Sequence, residues 1–168
     1  MSMHSYPLTE PVCFFIDEKA TMFILLKHAI EDNGLQPEIQ KLIDTYGIKT
    51  VVNDNLIPEE FLDEYQDTQF AMEILIDKID DVAWAGEFEG EVNTKWPEKC
   101  KDTEPLSLNF DDDFVLYIRP EKDADFFSQA YTNPGQMCDE FRNKLSDYLP
   151  DDFPFWKYLV SLSGTYYC

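Results

Sequence analysis

Histidine and glycine are scarce in this chain. Its whole imidazole supply is His4 and His28, and its six glycines fall in no phosphate-cradling or dinucleotide-binding pattern, which disfavours nucleotide chemistry. Ser163-Gly164-Thr165 lacks the sharp glycine-flanked turn of a serine nucleophile and reads more simply as the end of a helix. Nothing in the spacing of Cys13 and His28 supports a thiol–imidazole pair. The four cysteines, Cys13, Cys100, Cys138 and Cys168, include no close pair of the kind that holds zinc or shuttles disulfides, so thiols in a reducing compartment are expected. No apolar run approaches the ~20 residues of a membrane-spanning helix. The first residues show no basic region followed by an apolar run and a cleavage site. The expectation is a soluble cytoplasmic protein with no cofactor and no membrane contact.

Positive charge is the other scarcity, with thirteen Lys and Arg against thirty-four Asp and Glu, a formal charge of −21 over 168 residues. The imbalance is local. Residues 53–91 hold thirteen acids and one base, Lys78, while residues 1–52 carry a net −3 and residues 92–168 a net −6. A focused negative potential repels nucleic acid and anionic membrane and attracts basic protein surfaces. Acidic chains are often disordered, but that state requires few hydrophobic residues, and here 44% are hydrophobic and 15% aromatic. The composition describes a folded protein with a charged coat.

The pattern along the chain predicts an α+β fold in a single domain, 1–168. About six helices accompany a small, mainly antiparallel sheet that includes a 106–118 hairpin; a helical domain with a lone hairpin is the alternative. Residues 1–11, with Pro7 and Pro11, read as a flexible arm, and 12–16 as a strand. A helix is expected from Asp17 to Asn33-Gly34, which supplies a left-handed stop, and a second from Pro37 to Gly47. Residues 48–52 look like a strand. Pro58-Glu59-Glu60 starts a helix with acids at the positive end of its dipole. Asp67-Thr68 then caps another helix, whose Met72, Leu75, Ile76 and Ile79 recur at helical spacing. Residues 84–92 alternate as a strand would, 93–105 read as a partly helical connector, and 106–110 and 114–118 flank a three-residue turn as a hairpin. Helices are expected at 123–130, 136–148 and 153–162, the last stopped by Gly164, with 165–167 as an extended tail.

Candidate functional residues follow from the acidic stretch. Glu73, Asp77 and Asp80 or Asp81 recur at three to four residues, on one helix face and about 6 Å of rise apart. On a strand, Glu87, Glu89 and Glu91 would project from one face, with Trp84 and Phe88 on the other. A solvated face accounts for most acidic clusters. Yet like charges at one-turn spacing cost a few tenths of a kcal/mol per pair, and ordinary soluble faces intersperse both signs. The aromatics Phe61, Tyr65, Phe70, Trp84 and Phe88 could anchor an interface or pack in the core.

The expected function is therefore an acidic inhibitor that occupies a basic surface, either a nucleic-acid-binding site or a toxin. Nucleic-acid mimics, anti-defence proteins and immunity proteins share this physical profile. One alternative is a metal-dependent hydrolase in which Asp111 and Asp113 ligate a hard cation, although calcium-loop spacing is missing. Another is an assembly subunit, a homodimer in which the aromatic 153–167 segment packs against a second copy.

Overall fold

The computed structural model describes residues 5–7, 12–84, 92–95, 114–118 and 133–167. They form six α-helices and six strands, every strand pair antiparallel. The fold is α+β.

The first two helices form where local chemistry specifies them. Asp17 accepts a 2.9 Å hydrogen bond from the Ala20 amide and so caps α1 (Glu18–Glu31). Asn33 beyond its end takes φ 54°, the left-handed turn that closes a helix. Ala20 through Leu26 are all buried, so α1 has no solvent stripe over these two turns and runs through the core. The one buried polar residue among those described, Thr21, is satisfied: its hydroxyl donates to Asp17 O at 2.6 Å and also contacts the Thr68 hydroxyl at 3.1 Å. Helix α2 (Pro37–Tyr46) has proline in its first turn and stops at Gly47, φ 84°.

The expected strand at 48–52 is instead α3 (Ile48–Asn53). Its apolar run is too short for periodicity to separate helix from strand. The chain reverses at Gly47, and Val51 and Val52 are buried in the core from a helix. Next come α4 (Glu59–Leu62), a 3-10 turn (Asp63–Tyr65) and α5 (Thr68–Lys78), which Asp67 caps through the Phe70 amide at 3.1 Å.

The sheet comprises β1 (Ser5–Pro7), β2 (Val12–Ile16), β3 (Val82–Trp84), β4 (Val92–Lys95), β5 (Phe114–Ile118) and β6 (Leu159–Tyr167). β2 lies between β5 and β6 and is buried at all five positions, with α1 and α6 (Pro134–Lys144) packed against it. Phe14 of β2 meets Phe141 of α6 at 5.2 Å and Tyr158 at 5.7 Å between ring centres.

Residues 153–162 correct the expectation of a helix. A 3-10 turn (Phe155–Tyr158) leads straight into β6, where Gly164 stands opposite Val92 rather than ending a helix. β6 takes its backbone partners from β2 at 159–161, from β4 at 161–164 and from β1 at 165–167. Those partners lie far away in sequence, which is why local periodicity misreads the segment.

Residues 93–95, expected to open a partly helical connector, are in strand β4, which begins at Val92. Ser5–Pro7, within the expected arm, is paired with β6. In the expected hairpin, 114–118 is a strand with β2 and β3 as neighbours, whereas 106–110 lies outside the described residues. So does the expected helix at 123–130. The buried residues form one hydrophobic cluster.

Candidate functional site

Ten of the thirteen acids between 53 and 91 are described, and nine of those ten are exposed. The tenth, Asp81, is held by Lys144 of α6 at 2.7 Å, with both side chains about one third exposed. Among the described residues it alone of the ten is paired with a cation.

α5 explains how these acids face outward. Ala71, Met72, Ile74 and Leu75 are buried, which leaves Phe70, Glu73 and Asp77 at three- and four-residue spacing on the opposite, solvent stripe. Phe70 is 43% exposed and stands edge-to-face against the His28 ring at 5.6 Å, so the last turns of α1 lie beside α5. His28 Nε2 in turn lies 3.0 Å from Asp32 Oδ2.

Tyr148 shows where the acids converge. Burial pushes its phenol above the ordinary value, and the nearby charges of Glu31, Asp147, Asp32 and Asp77 push it further in the same direction. Carboxylates from three separate segments therefore act on this phenol: the end of α1, α5, and the turn after α6. Local sequence carried no signal for this grouping. Glu31, Asp32 and Asp147 fall outside the acidic stretch and join it only through packing.

The residues expected at the partner surface have separate fates. Glu73, Asp77 and Asp80 are exposed, and Asp81 is engaged by Lys144. Trp84, in β3, is half-buried and packed against the core, as is Phe61, while Tyr65 is buried. Phe70 is thus the exposed aromatic among the described members of that set. Glu87, Phe88, Glu89 and Glu91 lie outside the described residues, as do the candidate cation ligands Asp111 and Asp113. No group of three or more His, Cys, Asp or Glu that could hold a metal occurs among the described residues, and no described helix is long and apolar enough to cross a membrane.

Three aromatic residues of the 153–167 segment, Phe153, Phe155 and Tyr158, are buried in this chain's own core. Burial also raises the Cys13 thiol far above its ordinary value, which leaves little of the reactive thiolate. Comparison of the chain with protein families, with curated proteins and with solved structures finds no match.

Proposed function

We propose that this protein binds a basic protein surface through its acidic face, and that it inhibits a nucleic-acid-binding protein or toxin by occupying the site where that partner holds an anion. The observation that carries this reading is the set of nine exposed carboxylates between 54 and 80 that have no cation partner among the described residues, joined near Tyr148 by the charges of Glu31, Asp32 and Asp147. Glu73 and Asp77 are about 6 Å apart along α5, a spacing that can meet successive cationic side chains. Release of counterions from both surfaces would drive association, making it fast and salt-sensitive. Phe70, exposed beside Glu73, offers a ring on which a partner arginine can stack.

A basic probe such as poly-lysine tests the reading when two charge-matched variants are compared. One neutralises Glu31, Asp32, Asp77 and Asp147; the other neutralises Glu38, Asp44, Asp139 and Asp151, all exposed elsewhere. The first is expected to weaken binding more and to flatten its salt dependence more. Equal losses would mean that the protein acts only through net charge and has no dedicated face.

A further inference from the structure

A cavity of about 400 Å³ opens between the first turn of α1, the end of α3 and residues 62–66. Met22, Val52, Ile57 and Leu62 form its apolar wall, and Asp17 and Glu18 stand on its polar side. This volume is at the low end of the ~300–1,000 Å³ of small-molecule sites. It suits one long side chain better than a large cofactor.

The Asp17 carboxylate is fixed in place before anything binds. Oδ1 accepts from the Ala20 amide at 2.9 Å and Oδ2 from the Tyr158 hydroxyl at 2.8 Å. Two of its roughly four lone-pair positions remain. Burial, the Asp17 charge and this hydrogen bond together push the Tyr158 phenol up, so it keeps its proton and remains a donor.

Lys19 also lines the cavity, and the α1 dipole adds about half a positive charge there. The sign is decided by the surroundings. Of the charged lining residues two are acids, Asp17 and Glu18, against one base, Lys19, and exposed Asp54, Asp63 and Asp67 are next in the chain to the lining residues Asn55, Leu62 and Gln66. The cavity therefore pairs an apolar wall with a lining and neighbouring chain that are net negative. That combination selects an amphipathic cation, a methylene stem ending in a charged head.

We infer that this cavity receives one arginine side chain of the basic partner, an inference that rests on the acidic-face reading and adds a specific socket to it. The planar guanidinium suits the free carboxylate positions of Asp17, and its stem covers Met22 and Leu62.

Methyl NMR of the full chain, titrated with a blocked Gly-Arg-Gly peptide and with the neutral citrulline equivalent, tests this. Saturable shifts at the Met22, Val52, Ile57 and Leu62 methyls are expected with the arginine peptide, and binding about fivefold or more weaker with citrulline. Glu18→Lys, at an exposed position, should weaken the arginine response by a similar factor while leaving the native spectrum intact. Leu62→Trp should fill the cavity and abolish the response. Equal shifts with both peptides, or none at these methyls, would overturn the socket. Backbone-amide shifts confined to Phe70, Glu73 and Asp77, recorded in the same titration, would also overturn it but leave the acidic face standing, whereas silence at both places would remove both.

Discussion

The Tyr158 hydroxyl donates a 2.8 Å hydrogen bond to the Asp17 carboxylate, joining positions 141 residues apart. Asp17 is also the N-cap of α1, so one side chain starts the central helix and fastens it to the turn that precedes β6. Asp17→Ala is therefore expected to cost about 2–4 kcal/mol, from the lost cap together with a hydroxyl left unpaired. Tyr158→Phe, which removes only the hydrogen bond, should cost about 1 kcal/mol. Urea denaturation of both variants measures the difference, and equal losses would show that the cap contributes nothing.

The same pair sets an alkaline limit. The folded-state pKa of Tyr158 is raised, so the contribution is complete below the unfolded tyrosine value of about 10 and declines as pH climbs above it. Tyr148 and Tyr65 are displaced in the same direction and add to the decline. Stability should stay level from this source up to about pH 9 and fall above about pH 10. In Tyr158→Phe the fall should be shallower, as chemical denaturation across that range would show.

Asp81 and Asp77 are four residues apart and should behave differently. Lys144 holds Asp81, and a double-mutant cycle on that partly exposed pair should return about 0.5–1 kcal/mol of coupling. Asp77 is exposed and has no cation partner among the described residues. Asp77→Asn should therefore weaken binding of a basic probe with little change in stability, while Asp81→Asn should do the reverse. Titration calorimetry and thermal melts on the two single variants would expose a reversed assignment.

Gly47 adopts φ 84° between α2 and α3, and a Cβ placed there meets nothing within 4 Å. The cost of Gly47→Ala is thus expected to be purely conformational, about 1 kcal/mol. A neutral result in urea denaturation would mean that the α2–α3 corner relaxes to another backbone geometry.

Elements with their own local signals were legible in the residues. Asp17 and Asn33 bracket α1, Pro37 and Gly47 bracket α2, and Asp67 opens α5, because caps and turns depend on neighbours a few positions away. α3 was misread because its apolar run is too short for periodicity to decide, and β6 because the strands that pair with it lie far away in sequence. Val51 and Val52 enter a core built largely by α1 and the sheet, and β6 exists because β1, β2 and β4 come to it.

The candidate site divides along the same line. Net charge and its concentration in 53–91 are sums over residues, unaltered by how the chain folds, and so the sequence alone determined that the protein presents a negative exterior. Which carboxylates act together depends on direction and on neighbours. Folding paired Asp81 with Lys144, brought the charges of Glu31, Asp32, Asp77 and Asp147 to bear on Tyr148, and opened a cavity lined by Asp17. Electrostatic interaction weakens with distance and with solvent between the charges, so only the tertiary structure, which sets both, could decide them.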